Sequence, residues 1–215
     1  MTDTPIRLYG GSSGTERIER RKAALVEAAY ELIAEDGWRA LRVDRLAQRA
    51  QLSKRYVYES FTDLDEITAA VIDQLGAGVI AALSTADPAL APREFIHESL
   101  SALVAHLTED PRRARVLFDE VSANPAASRY RDLLVQRATG LIASRARQRH
   151  QMTDSTDPIA ELAASLLLGG TIRALLDWIE DRIPMSRTQL VDDLTSLWRG
   201  VGDTATTVAA HRNLG

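Results

Sequence analysis

The sequence predicts an all-α protein of about nine helices. Apolar residues recur at steps of three and four along most of the 215 residues, which is the period of an amphipathic helix. No segment combines sustained apolar–polar alternation with β-branched residues, so no sheet is predicted. Asp-Pro dipeptides at 110–111 and 157–158 are typical of helix starts.

Composition and charge indicate a folded cytoplasmic protein. Apolar residues make up 45% of the chain and charged residues 26%, an ordinary mix for a globular protein. The absence of cysteine excludes disulfides, zinc fingers, iron–sulfur clusters and thiol nucleophiles. The N-terminus lacks the pattern of a signal peptide, and the longest uncharged run, residues 74–86, is too short to span a bilayer. We therefore expect no membrane partner.

The chain begins with a segment, residues 1–14, that is expected to be a flexible tail rich in glycine and serine. It contains G-x-S-x-G at 10–14, but a nucleophile elbow requires a preceding strand, and polar residues stand there instead. The first helix is predicted to start where Ser13 or Thr15 can cap it. It is predicted to end at Asp36, because Gly37 can adopt the left-handed conformation that ends helices.

Two short helices follow. Ser53 can cap the second of them, and Val57 and Phe61 can anchor it to the first. The first has the apolar spacing i, i+3, i+4, i+7, at Val43, Leu46, Ala47 and Ala50. The remaining side chains of the second helix point outward or laterally and include two cations and two phenols: Lys54, Arg55, Tyr56 and Tyr58. Such a surface suits contacts with phosphates and base edges.

The spacing by itself leaves a second interpretation open, in which these helices are an ordinary amphipathic pair in a bundle. The charge distribution favours nucleic-acid binding only weakly. Residues 16–62 hold ten Lys and Arg against eight Asp and Glu, whereas residues 68–215 hold 15 against 18. Farther along, Thr62 and Asp65 predict a capping box for a longer helix over 64–83, and Ser186 and Gln189 predict one for the last helix.

Residues 17–75 resemble the DNA-binding domain of the TetR family of transcriptional regulators. The matching positions are Arg21, Ala28, Ala29, Leu32, Ile33, Gly37, Val43, Leu46, Ala47, Ala50, Leu52, Ser53, Val57, Tyr58, Phe61, Asp65, Glu66 and Ile67. The resemblance implies a dimer with an N-terminal three-helix helix-turn-helix DNA-binding domain and a C-terminal helical ligand-binding and dimerisation domain. The first would cover residues 15–63 and extend to about 76, with its motif at about 42–61, and the second would cover 77–215.

The resemblance also implies which residues contact DNA: Arg42, Val43, Ser53, Lys54, Arg55, Tyr56 and Tyr58. The chain departs from the family pattern at Gln51, where glycine is usual in the turn, and at Leu64, where a lysine usually contacts phosphate. Arg55 and Tyr56 replace the common Gly-Thr and enlarge the reading surface. Arg42 replaces a capping threonine and can reach a phosphate, although an ordinary solvated arginine remains the alternative.

The last two helices are predicted to form a dimer interface through one apolar stripe: Leu162, Leu166, Gly169, Ile172, Leu176, Ile179, Leu190, Leu194, Leu197 and Val201. The first of these helices is apolar on a second face too, through residues such as Leu168 and Leu175. A helix with two apolar faces must bury both, and the second subunit can cover one of them. The alternative is that both stripes are buried within one chain.

A ligand pocket is expected in the C-terminal domain, with candidate residues Phe95, His97, His106, Phe118 and Trp178. Large apolar residues in helices belong to the core more often than to a pocket, and that alternative stays open. No histidine pair has the spacing of metal ligands, so no metal or cofactor is expected.

These observations predict a ligand-responsive transcriptional regulator and not an enzyme, most simply a repressor that a small-molecule effector releases from a palindromic operator in double-stranded DNA. The other class considered is an all-helical small-molecule-binding protein or enzyme that kept the topology without binding DNA. The outward cations and phenols at 54–58 favour the regulator, because an enzyme has no use for them there. No acid–base pair or nucleophile constellation supports catalysis.

Overall fold

The computed structural model describes residues 14–119, 124–150 and 157–212. Within these ranges the chain is helical and contains no strand, which confirms the predicted all-α class. The α-helices are α1 (Gly14–Asp36), α2 (Val43–Arg49), α3 (Lys54–Ser60), α4 (Leu64–Leu83), α5 (Pro92–Glu109), α6 (Arg112–Ala114), α7 (Pro125–His150), α8 (Ile159–Ile179) and α9 (Arg187–Arg212). A 3-10 helix, Trp38–Ala40, precedes α2, and a π-helix, Arg115–Asp119, follows α6. Most of the predicted tail, residues 1–13, lies outside the described residues.

The chain divides into two compact units, residues 1–71 and 72–215. In the first unit, α1 packs against the 3-10 helix, α2 and α3. The side chains at its centre are almost fully buried and come from each of α1 to α4: Leu25, Ile33, Leu46, Val57 and Ile67. The apolar spacing of the short helices predicts this packing, because it places an apolar face of one short helix against the other.

In the second unit, α5, α8 and α9 share one hydrophobic core. Leu100, Leu103, Val104 and Leu107 of α5 pack there against leucines of α8 and α9. α7 lies along α8, and the contact is made by small residues: Ala143, Ala160 and Ala164 are all nearly inaccessible. Small side chains at this position let the two helix backbones approach each other.

The predicted dimer stripe divides into two sets. Leu176, Leu190 and Leu194 are at most 6% exposed and belong to the chain's own core, so their assignment to an interface is corrected. The reason is α5, whose leucines cover this part of α8 and α9. Ile172 and Ile179 also pack against that core from its edge, and Val201 is half-buried. The exposed members are Leu162, Leu166, Gly169 and Leu197.

Local side-chain caps set several helix starts, with one shift from the prediction. The capping box of α4 uses Asp63 and Glu66 in place of Thr62 and Asp65, because the helix starts at Leu64. Glu66 N–H donates to Asp63 Oδ1 at 2.8 Å, and the Glu66 carboxylate accepts from the Thr62 N–H at 2.6 Å. The box of α9 forms as predicted between Ser186 and Gln189.

Two described helices, α4 and α8, are long and apolar enough to cross a membrane by length and composition. The core helix of a soluble protein passes the same test. Both helices contribute buried residues to the units described above, so this property alone does not assign a membrane.

Candidate functional site

The turn between α2 and α3 has the geometry of a helix-ending motif. Gln51 has a φ of 55°, in the left-handed region that favours glycine. The Leu52 N–H donates to the Ala47 carbonyl at 2.9 Å, and the Gln51 N–H donates to the Gln48 carbonyl at 3.1 Å. These two bonds are those of a Schellman motif, in which the left-handed residue usually is glycine. The departure at Gln51 therefore leaves the turn geometry intact and places a strained residue in it.

Two apolar side chains fix the orientation of α3 as predicted. Val57 is 2% exposed and Phe61 is 6% exposed, and both face the core of the first unit. The opposite face is open to solvent. Arg55 has 83% of its side chain exposed, and Tyr58 is the most exposed large hydrophobic residue in the described chain, at 64%.

Each cation of α3 is paired with a carboxylate. Lys54 Nζ lies 2.5 Å from Asp44 Oδ1 of α2, and Arg55 Nε lies 2.6 Å from Glu59 Oε1, one turn along α3. These hydrogen bonds raise the pKa of Lys54 and of Arg55 above their ordinary values. An anionic partner would therefore have to displace these two carboxylates to reach the cations.

Tyr56 is less open than the sequence suggested. Its ring lies under the Arg21 guanidinium of α1, 4.6 Å from the ring centroid, and the residue is 37% exposed. This cation–π contact holds the phenol at the side of α3. Sequence reasoning singled out Arg21 only as a matching position, because nothing in the sequence shows that residues 21 and 56 meet.

The two residues that precede the short helices are extended at the N-cap position. Arg42 has φ −139° and makes no cap bond, as expected for an arginine, and its side chain is exposed. Ser53 also makes no side-chain cap bond, which corrects the cap predicted there. Val43 is half-buried at the start of α2. The two arginines of α2 form ion pairs with the end of α1. Arg45 pairs with Asp36, and Arg49 pairs with Glu35.

The second unit contains a cavity of about 710 Å³, within the range of small-molecule sites. Its wall is formed by the end of α4, residues 84–90, the first half of α5 and the second half of α7, with Leu167 of α8 and with Trp198 and Gly202 of α9. Of the predicted pocket residues, Phe95 lines this cavity. Phe118 lines a separate apolar cavity of about 40 Å³.

The other three predicted pocket residues line neither cavity. His97 Nε2 lies 3.3 Å from Asp192 Oδ1 at the surface, and the Trp178 indole donates to the Met185 carbonyl at 2.9 Å. His106 lies against Gly78 of α4, and burial lowers its pKa. Helical periodicity places these residues on apolar helices. It does not show which other helix or loop each side chain contacts.

The structure adds cavity residues that the sequence analysis missed. Arg145 and Arg149 of α7 and Ser99 of α5 line the larger cavity. Their spacing offered a partial signal, since residues 145 and 149 are one helical turn apart. In the described ranges there is no group of three or more His, Asp or Glu residues that could hold a metal ion.

Comparison with known proteins gives consistent results. Residues 25–71 match the profile of the family described as bacterial regulatory proteins, tetR family. The HTH-type transcriptional activator FasR of Mycolicibacterium smegmatis is 29% identical over 119 residues, which are 53% of this chain and 53% of that protein. The chain thus spans about half the length of this curated relative.

Solved structures share the fold across most of the chain. A TetR-like transcriptional regulator from Rhodococcus sp. RHA1 has a TM-score of 0.61 at 23% identity, covering 85% of this chain and 93% of that one. The transcriptional regulator FadR of Bacillus subtilis, in complex with stearoyl-CoA, has a TM-score of 0.63 at 18% identity, covering 86% and 97%. Residues 25–71 thus match the profile of tetR-type regulatory proteins, and most of the chain shares the fold of the solved regulators.

Proposed function

We propose that the protein is a ligand-responsive, DNA-binding transcriptional regulator that works in the cytoplasm as a homodimer and has no catalytic activity. The observation that carries the proposal is the exposed face of α3. Val57 and Phe61 hold α3 against the core of the first unit. The side chains that project from its exposed face are Lys54, Arg55 and Tyr58. This arrangement suits a recognition helix in a major groove about 12 Å wide.

The ligand-responsive part of the proposal rests on the larger cavity in the second unit. Its volume of about 710 Å³ and its mainly apolar wall fit a small-molecule effector. FadR of Bacillus subtilis, which shares the fold, was crystallised with stearoyl-CoA, so a protein of this shape can hold a ligand. We infer a repressor that the effector releases from DNA.

The proposed mechanism is allosteric. A two-fold dimer presents two recognition helices to successive major grooves of a palindromic operator, about 34 Å apart. The effector favours a dimer in which this spacing no longer fits. Because the coupling is reciprocal, operator DNA must weaken effector binding by the same factor by which the effector weakens operator binding.

The test is a selection of bound sequences from random duplex DNA by the full-length protein. A regulator enriches a palindromic sequence with half-sites one helical turn or a small multiple of it apart. Recovery of unselected DNA only, or of none, would contradict the proposal and favour a ligand-binding protein without DNA function. The enriched duplex then serves to screen compounds for those that release the protein.

A further inference from the structure

In the described part of the chain, the wall of the larger cavity carries positive charge and no carboxylate. Arg145 and Arg149 both line it, and no described Asp or Glu does. This is unusual for its surroundings, since residues 68–215 contain more acids than bases. An apolar cavity with two cations and no acid is suited to a ligand that brings the missing negative charge.

The two arginines also differ from most arginines of the second unit. Arg147, between them, pairs with Glu161, while Arg173 and Arg212 bind Asp177 and Asp157. Arg149 instead donates to the Leu90 carbonyl and stacks over Phe95 at 4.9 Å from the ring centroid. Neither Arg145 nor Arg149 has an ion pair with a carboxylate of the described chain. Arg149 is thereby positioned against the wall with hydrogen-bonding capacity left for a ligand.

Ser99 is a buried polar residue in the same wall. It is 8% exposed, and its Oγ is closed to solvent and has no hydrogen-bond partner in the described part of the molecule. Other hydroxyls on these helices, such as those of Thr108 and Thr195, donate to the carbonyl one turn earlier. Because solvent does not reach the Ser99 Oγ, a ligand can bond to it only after this side chain turns toward the cavity, so the charge of the wall rests on the two arginines.

The rest of the wall is apolar and continues toward a second space. Leu100, Leu141 and Ile142 line the larger cavity, and the Trp198 indole N–H there is already used by Thr171 Oγ1 at 2.9 Å. The smaller cavity is lined by apolar residues and by Thr171, and it shares Ile80, Leu83 and Ala138 with the larger one. The charged part of the site is thus at the end of α7, and the apolar part extends between α4, α5 and α7.

We propose that the effector is an anionic amphiphile. Its negatively charged head group binds Arg145 and Arg149, and its apolar chain lies along Leu100, Leu141 and Ile142. This inference rests on the proposed function and deepens it, because it names the ligand class of the same cavity. The shared chemistry is a carboxylate or phosphate joined to an apolar chain, and the experiment separates these two sources.

The first measurement is isothermal titration calorimetry of the full-length protein with monomeric dodecanoate, without DNA. Dodecanol and dodecyltrimethylammonium have the same chain with a neutral and a cationic head and serve as ligand controls. We expect dodecanoate to bind at least tenfold more tightly than either. Octanoate, hexadecanoate, dodecyl phosphate and dodecanoyl-CoA then show which chain length and which anion the site prefers.

Variants connect this preference to the named residues. Arg145→Gln together with Arg149→Gln should weaken dodecanoate binding at least tenfold and leave dodecanol binding unchanged. Arg137→Gln is the control for loss of positive charge on α7: it removes one charge, half the change of the double variant, from an exposed residue that lies outside the cavity wall. Ser99→Leu should narrow the cavity beside Leu100 and weaken the binding of dodecanoate and dodecanol alike, while thermal unfolding reports whether the variant folds.

Equal affinity for the anionic and neutral ligands, or equal loss in the Arg137→Gln variant and the double variant, would overturn the inference. So would absence of any binding by a protein that still selects a palindromic duplex, and in that case the proposed regulatory function stands. A protein that binds dodecanoate through these arginines but selects no duplex supports the ligand class and contradicts the regulator.

Discussion

Arg55 and Arg42 occupy different places on the α2–α3 surface, and we expect them to contribute different terms to DNA binding. Arg55 is on the outer face of the recognition helix, where a guanidinium can bind guanine O6 and N7 together. Arg55→Ala should therefore weaken binding to the selected operator about ten- to a hundredfold and leave binding to scrambled duplex almost unchanged. Arg42→Ala should weaken binding to both duplexes. It should also make the slope of log K against log salt concentration shallower by about one unit.

A salt titration of each variant on both duplexes measures these effects. Tyr58→Phe is the control without a charge change. It should weaken both complexes and leave the slope of log K against log salt concentration unchanged. If Arg55→Ala lowered the affinity for both duplexes equally, Arg55 would be a phosphate contact. Base recognition would then fall to Lys54 and Tyr56.

Gln51 is the residue at which the turn stores strain. A non-glycine residue in the left-handed region costs roughly 1–2 kcal/mol, and Gln51 has a φ of 55°. Gln51→Gly should raise the free energy of unfolding of the first unit by about 1 kcal/mol, less the entropy that glycine adds to the unfolded chain. Urea unfolding measures it.

The control for this change is Gln48→Gly, three residues earlier, where the backbone is helical. The same residue change there should lower the free energy of unfolding by up to about 1 kcal/mol. Destabilisation by both variants would mean that the Gln51 side chain makes a contact worth more than the strain it causes.

At the level of elements, α2 and α3 are coupled through a charge pair that competes with DNA. Asp44 of α2 holds Lys54 of α3, and its carboxylate would lie beside phosphates in a complex. Asp44→Asn frees Lys54 and removes that repulsion, so every duplex should bind a few-fold more tightly and with a salt dependence steeper by up to about one unit. Asp203→Asn makes the same change in net charge outside the first unit and should leave filter-binding titrations unchanged. A similar gain in both variants would assign the effect to net charge.

The contact between α4 and α5 predicts a pH dependence of stability. A Cβ at Gly78 would lie 2.7 Å from His106 Nε2, and Arg113 donates to the His106 carbonyl at 2.7 Å. Burial first, and then the Arg113 charge, lowers the pKa of His106 below its ordinary 6.5. The unfolded chain therefore binds a proton more readily than the folded one, and stability is lost as the pH falls below 6.5.

Urea unfolding at a pH above and a pH below this value measures the effect. The unfolding midpoint of the wild type should fall more on acidification than that of His106→Gln. His211→Gln, at an exposed histidine of α9, is the control and should keep the wild-type difference. An identical fall in the wild type and in His106→Gln would locate the pH dependence in other groups.

Sequence patterns predicted the elements better than the contacts between them. The bounds of α4 and the capping box of α9 match the sequence prediction, although the cap of α4 uses Asp63 and Glu66. The Arg21–Tyr56 stack and the pairing of Lys54 with Asp44 depend on how elements meet in space. For the same reason the cavity residues Ser99, Arg145 and Arg149 were missed, since only packing brings α5 and α7 to one wall.

At the scale of the whole molecule, periodicity predicted the all-helical class. It did not predict which apolar surface stays exposed and available to a second subunit. A stripe on α8 or α9 is equally apolar whether α5 or another chain covers it. The structure resolves this for the central leucines, which α5 covers. It leaves Leu162, Leu166 and Leu197 exposed at 55%, 63% and 62%, and Leu162 and Leu166 are neighbours one turn apart on α8.

We therefore predict that the homodimer forms through these exposed leucines. Leu166→Glu and Leu197→Glu should each shift the protein to monomer in sedimentation velocity with little change in secondary structure, because a buried, unpaired carboxylate at an interface costs several kcal/mol. Leu194→Glu makes the same substitution in the core of the unit and should lower its unfolding temperature strongly at any protein concentration. If both surface variants sediment as dimers, the interface lies elsewhere. If Leu194→Glu is as stable as the wild type, the core assignment of α9 is contradicted.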